Sequence, residues 1–405
     1  MINKLFLTTL LALMAVCAGA ADAATDPPAE QPQVFVLNLK RLAASKAAVN
    51  AKQEPALAAF NQLIRDADKA LKFGPVSVME KKNQPPSGDK HDYMSLAPYH
   101  WPDPSKPDGL PYIRKDGQTN PEVKEYKDKE YLPGLCESVY TLGLAYYFSG
   151  EKLYADHAAK LLRVWFLDTA TRMNPHLNYG QAIKGVNTGR GSGLIDTRHF
   201  IKLIDGIGLL NGSSSWKQAD LDGMKEWFTS FLQWMQTSKV GMNELNAPNN
   251  HGAWYDAQRL SIAMFVDSTA LAKRIVQNAQ ARLDKQMDDA GKFPLELERT
   301  ISLHYTAFVL EAFFNIARVA DKLGMNMWSF ESPSGKSLKK AFEATQPYIS
   351  GAKKWDGQQI KPYEFDESYF LLMEGAEHFN CRNCRQDVKN LAGNDAPRLR
   401  INLLY

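Results

Sequence analysis

Apolar residues recur at helical spacing along most of this chain. Between residues 35 and 71 they fall at Leu37, Leu39, Leu42, Ala48, Leu57, Phe60, Leu63, Ile64, Ala67 and Leu71, and Gly74-Pro75 ends the pattern. The same period returns over residues 135–148, 154–166, 200–210, 218–237, 252–266, 268–287, 302–323, 338–349 and 365–377. The first two of these flank Ser149-Gly150-Glu151 as an antiparallel pair. Several later neighbours have equally short links, so the helices come as hairpins. Paired helices joined alternately by short and long connections predict an all-α fold, an incomplete α/α toroid whose long loops gather over a cleft. No strict repeat is visible, which argues against a solenoid. A short apolar run at 399–404 reads as a small β element.

Two stretches break the helical pattern. Residues 83–123 hold eight prolines, with Tyr93, Tyr99, Trp101 and Tyr112 among them. So much proline excludes a long helix, and the aromatic content argues against disorder. An ordered rim or lid that stacks on a ligand is the expectation. Residues 174–198 form a Gly- and Asn-rich loop containing Thr188-Gly-Arg-Gly-Ser-Gly193. Its glycines superficially resemble a phosphate loop, but no Lys-Ser/Thr follows and no βα unit surrounds them, so nucleotide binding is excluded.

Composition narrows the class. The chain has 405 residues, 44% hydrophobic and 23% charged, ample for one large core. A net charge of +3 is too weak to argue for nucleic acid, yet leaves room for a local basic cleft. Lys4, the apolar run at 5–20 and the small residues after it read as a secretory signal peptide over residues 1–24. Val16 before Cys17 is a poor fit to a lipoprotein cleavage box. Residues 25–34 are then a flexible lead and 35–405 a single domain, exported to the periplasm or beyond. No later run is long enough for a membrane span. Export permits disulfides, so Cys381 and Cys384 are expected to form a local bridge, and Cys136, in an apolar segment, a buried free thiol. A zinc site would need more ligands, and no second Cys pair exists.

Two segments carry candidate chemistry. Residues 246–258 gather Asn249, Asn250, His251, Trp254 and Tyr255 just ahead of an apolar run. Pro248 stops an incoming helix, and Asn249 or Asn250 can cap the next. Residues 293–308 carry Arg299 and Tyr305. If Thr300 or Ser302 caps the following helix, Arg299 lies in the loop and Tyr305 in the first turn, both facing one cavity. The plainer alternative makes Tyr305 a core aromatic and pairs Arg299 with Glu296 or Glu298. Asn250, His251, Arg299 and Tyr305 together form a set able to abstract a proton beside a carboxylate. Arg and an amide neutralise the carboxylate, and a base takes the proton. Tyr can be that base if Arg⁺ and hydrogen bonds lower its pKa, and Tyr or His can return a proton to the leaving oxygen.

Asn-Asn-His at 249–251, then Pro-Leu-Glu-Leu-Glu-Arg (294–299) with Leu-His-Tyr (303–305) behind it, resembles the alginate lyase family. The loop beginning at Asp92-Tyr-Met-Ser-Leu-Ala-Pro-Tyr-His-Trp is similar to the branch that includes bacterial alginate and glucuronan lyases. The resemblance implies an α/α toroid and metal-independent, cofactor-free β-elimination on an anionic polysaccharide. It assigns Asn250 and Arg299 to carboxylate neutralisation, His251 to catalysis, and Tyr305 to the role of base, acid or both. His304 here precedes the tyrosine rather than following it. Substrate-binding candidates around this set are Asn249, Tyr93, His100, Trp101, Arg190, Arg198, His199, Trp254 and His304. Two other functions stay open. A glycoside hydrolase would need a carboxylate pair, for which Asp92, Asp103, Asp196, Asp256, Glu296 and Glu298 are available. A non-catalytic carbohydrate-binding protein would keep the aromatic loop and basic residues without turnover.

Overall fold

A computed structural model describes residues 31–405; the expected signal peptide lies outside the described residues. The first long helical pattern is split at Pro55 into α1 (Leu39–Asn50) and α2 (Ala56–Ala70). The expected hairpin follows as α3 (Asp128–Ser149) and α4 (Lys152–Leu162), turned by Gly150 at φ +76°, where a side chain would be strained. Then come α5 (Phe200–Gly208), α6 (Gln218–Thr237), α7 (Lys239–Leu245), α8 (Asn250–Phe265) and α9 (Thr269–Gln286). The chain ends with α10 (Pro294–Leu297), α11 (Ser302–Lys322), α12 (Leu338–Ile349), α13 (Tyr369–His378), α14 (Cys384–Ala392) and α15 (Ile401–Leu404).

Burial sorts the helices into two layers. Every residue of α5 except Lys202 is buried, and α8 is buried nearly all round, including Asp256, Gln258 and Arg259. Helices apolar on every side belong in an interior. By contrast α2 buries Ala56, Ala59, Leu63, Ala67 and Ala70, and α9 buries Ala272, Ile275, Val276, Ala279 and Leu283, one stripe each. The inner row is α3, α5, α8 and α11, packed in that order. Outside it, α2 and α4 cover α3, α6 and α9 cover α8, and α12 covers α11. This is an α/α toroid, as the helix pairing predicts. The inner helices approach closely where α3 meets α5: a Cβ on Gly143 would lie 2.8 Å from the Gly206 carbonyl. Asp205 of α5 accepts the backbone N–H groups of Phe35 (2.6 Å), Val36 (3.1 Å) and Leu37 (2.6 Å), anchoring the N-terminal segment to the ring. Val34 is already buried, so the last residues of the expected lead pack against the domain.

The proline-rich stretch is ordered and partly regular. Its strands are β1 (Met94–Leu96), β2 (His100–Trp101) and β3 (Ile113–Arg114), followed after α4 by β4 (Tyr179–Ala182). β1 pairs in parallel with β4, and β2 pairs antiparallel with β3, His100 opposite Arg114. The expected β element at the C-terminus is absent. Residues Gly393–Arg398 form a 3₁₀ turn and α15 a helical turn packed on α1 and α2. With no strand alongside, a helical turn satisfies backbone groups that a lone strand would leave open. Cys381 and Cys384 form the expected disulfide, and Cys136 is a buried free thiol. Among the described residues no helix is long and apolar enough to cross a membrane.

Candidate active site

A cavity of about 1060 Å³ opens among α8, α11 and the loops that cover them. Helix α11 alone contributes His304, Tyr305, Ala307, Phe308, Glu311, Asn315 and Arg318, spacings that keep one side of the helix on the cavity. From His304 to Arg318 that face runs roughly 20 Å. Eight Lys and Arg side chains line the cavity against four carboxylates, Glu244, Glu311, Asp366 and Glu367. The excess positive charge favours an anionic ligand.

One wall is the start of α8. Asn249 occupies the N-cap position in an extended conformation, but neither its side chain nor that of Asn250 caps the helix, contrary to expectation. The cap comes from α10. Glu296 accepts the Asn250 backbone N–H at 2.6 Å and its Nδ2 at 2.8 Å, placing a carboxylate at the positive end of the helix. The Asn250 amide is thereby fixed while its buried Oδ1 has no partner among the described residues. Asn249 is held by its carbonyl, which accepts Gln286 Nε2 at 2.9 Å. Next along the helix, His251 Nδ1 lies 2.6 Å from Glu244 Oε1 of α7. Glu244 is only 2% exposed, whereas His251 reaches the cavity. A carboxylate on Nδ1 sets the tautomer with Nδ1–H and leaves Nε2 free to accept a proton.

A second wall is the approach to α11. Arg299 lies in the loop and Tyr305 in the first turn, as the spacing predicts, but the capping differs. Thr300 gives both its N–H and its hydroxyl to Asp116 (3.1 Å each), Ser302 turns to the Gln358 carbonyl, and Gln359 Oε1 takes the Leu303 N–H at 3.1 Å. Arg299 pairs with neither Glu296 nor Glu298. Its Nε and Nη2 donate to Asp116, the shortest contact at 2.6 Å. Burial opposes ionisation of Asp116, yet the hydrogen bonds from Arg299 and Thr300 outweigh it and hold the carboxyl below the usual carboxylate range. The guanidinium centre then lies 3.6 Å from the Tyr305 ring centroid, a cation–π contact. Tyr305 is 8% exposed, and its hydroxyl donates to the Tyr99 hydroxyl at 3.1 Å. Its pKa is not lowered, as a role as base would require. Burial, then the Tyr99 hydroxyl, push it well above the ordinary phenol value, and Arg299 offsets only part of this.

The other expected residues divide. His100, Arg190, Arg198, His199, Trp254 and His304 all line the cavity. His199 is held neutral: burial, then Arg198, Lys202 and Lys129, lower its pKa to about 2. Burial, then Arg190 and Arg114, likewise lower that of His100. His304 pairs with Glu367 at 2.8 Å, and Arg198 lies over the Phe308 ring. Trp254 is both core and cavity wall, 3% exposed, with its indole N–H unpartnered among the described residues. Two residues do not belong. Tyr93 is fully buried and donates to Asp196 at 3.0 Å, and Trp101 turns its indole to the Gln118 carbonyl at 2.9 Å and lies off the cavity wall. In so short a strand-turn segment the sequence gives no periodicity to say which aromatic faces inward; Tyr99 is the one that does. The sequence reading also missed Glu244 and Asp116. Glu244 lies seven residues before His251, the one local signal available; Asp116 is 183 residues from Arg299, with none. None of Asp92, Asp103, Asp196, Asp256, Glu296 and Glu298, the carboxylates weighed for hydrolysis, lines the cavity.

The alginate lyase family model matches residues 77–355. An alginate lyase from Bacteroides ovatus, solved by crystallography, is 41% identical with a TM-score of 0.87, over 92% of this chain and 99% of that one. Alginate lyase A1-III from Sphingomonas species A1 shares the fold at 15% identity and a TM-score of 0.54, over 93% of this chain and 97% of its own. The tetrasaccharide complex of an A1-III variant aligns at the same identity and TM-score, over 84% and 94% of the two chains. No curated protein sequence matches. By its matched residues, and by its likeness to the Bacteroides ovatus enzyme along nearly the whole fold, the chain belongs to the alginate lyase family and is a polysaccharide lyase.

Proposed function

We propose that this enzyme cleaves a polyuronate, alginate or a polyglucuronate, by β-elimination at the cavity between α8 and α11. The observation that carries the reading is the pairing of a braced imidazole with a buried phenol across one cationic cavity. With Nδ1 held by Glu244, His251 offers Nε2 to the C5 proton of a uronate. The cavity cations and Asn250 neutralise the sugar carboxylate and stabilise the enolate-like charge that develops as C5 loses its proton. The C4–O4 bond then breaks as a C4–C5 double bond forms, and no water is consumed. Tyr305, kept protonated by burial, is suited to give its proton to the departing O4. Transfer of the proton from His251 back to the phenolate restores the starting state.

The relatives bear on the substrate. The Bacteroides ovatus structure and A1-III are alginate lyases, and A1-III has been captured with a tetrasaccharide. The N-terminal signal supports action outside the cytoplasm. The test is to incubate the mature enzyme with polymannuronate, polyguluronate and polyglucuronate while following the ultraviolet absorbance of unsaturated uronate. A rise with one polymer identifies the substrate; no rise with any would sink the reading, and new reducing ends without absorbance would mean hydrolysis.

A further inference from the structure

Two arginines of the cavity are clamped by opposite means. Asp116 grips Arg299 with a carboxylate that it shares with Arg114, so the charge of Arg299 is offset only in part. Arg190 is gripped by Gln181 alone: its Nε donates to the Gln181 carbonyl at 3.2 Å and its Nη2 to Gln181 Oε1 at 3.0 Å. Both acceptors are neutral, and no carboxylate among the described residues forms an ion pair with Arg190. Arginine stays protonated in proteins, so this guanidinium keeps its full charge at the cavity wall.

The clamp is elaborately supported. Gln181 has φ +48°, a left-handed backbone that non-glycine residues seldom adopt and that clusters at functional sites. It is 4% exposed, and both of its nitrogens are engaged in the interior. Its N–H donates to Ser95 Oγ at 2.8 Å and its Nε2 to Asp196 Oδ1 at 3.0 Å. Asp196 is fixed in turn by Tyr93, Ser95 and Lys129. The glycine-rich loop completes the placement. A Cβ on Gly193 would lie 2.5 Å from the Gly180 carbonyl, and one on Gly191 only 3.0 Å from the Glu244 backbone nitrogen. That packing brings Arg190 beside the segment bearing Glu244, the partner of His251.

We propose that Arg190, which like Arg198 has no carboxylate partner among the described residues, supplies charge that recognises a substrate carboxylate next to His251, and that Gln181 and Asp196 are positioning residues that hold it without neutralising it. The proposal rests on the polyuronate-lyase reading. It is tested in the Tyr305→Phe background by calorimetric titration with a uronate tetrasaccharide and with its carboxyl-reduced, neutral counterpart. Adding Arg190→Gln is expected to weaken the charged ligand by about tenfold or more while leaving the neutral one within about twofold. Equal loss of both ligands, or loss of neither, overturns the assignment. Gln181→Met in the otherwise native enzyme leaves Arg190 present, and serves if the Arg190 variant fails to fold. It is expected to raise KM more than it lowers kcat; an unchanged KM counts against the clamp. The two readings fail separately. Wild-type product without Arg190-dependent binding removes only this inference, whereas Arg190-dependent binding without any unsaturated product removes only the lyase chemistry.

Discussion

The two walls of the cavity use buried carboxylates in different ways. On the α8 wall, Glu296 and Glu244 stand behind an amide and an imidazole, fixing their direction and favouring a proton on Nδ1. On the α11 wall, Asp116 stands between two cations, Arg299 and Arg114, offsets part of their charge and holds Arg299 against the Tyr305 ring. An acid behind a neutral group makes that group a better proton acceptor; an acid behind a cation makes the cation a support. Arg299 is therefore placed to act on Tyr305 as well as on a substrate.

The largest effect that probes this contrast is on the phenol. Tyr305→Phe is expected to lower kcat about a thousandfold with little change in KM, read from initial rates of absorbance. A loss below tenfold would take the acid role from Tyr305. Next is the brace of the other wall: Glu244→Gln keeps an acceptor for Nδ1 but removes the charge, and kcat is expected to fall about a hundredfold. If the rate is unaffected, the imidazole does not depend on its carboxylate and the contrast between the walls collapses.

Asp116→Asn gives a smaller effect, read in stability. The folded-state pKa of Asp116 is depressed from 3.8, so its contribution is present above that value and lost as pH falls through the lower folded value. The variant is expected to have a lower Tm at neutral pH than the native protein, with the gap narrowing as pH drops below about 4. A gap that does not narrow would mean the ion pair contributes little. The smallest effect belongs to Trp101→Ala, outside the cavity, where kcat/KM is expected to stay within about twofold. A large rise in KM would return Trp101 to the substrate path.

Much of this arrangement was legible in the amino-acid order. Helices announce themselves by period, so the hairpins and the toroid follow from apolar spacing. Asn250, His251, Arg299 and Tyr305 were found because each pair sits at a loop-to-helix junction. Their partners were not, since Asp116 meets Arg299 and Gln181 meets Arg190 only through folding. The condition under which Tyr305 could be the base is not met, for a related reason. Sequence shows that an arginine is near, but not that the phenol is buried or that Asp116 has already engaged the charge. At 399–404 an apolar run too short to show a period was read as extended and proved helical.

The stripe of α11 residues along the cavity has a consequence for how this enzyme can vary. Each added residue turns a helix by about 100°, so one insertion near Phe308 would swing Glu311, Asn315 and Arg318 off the wall together. That helix works as a fixed ruler whose count tolerates no slippage. The loop between β2 and β3 has no such register beyond its single pair of strands. Residues 102–112 line none of the cavity, so a change of length there leaves the α11 stripe in place.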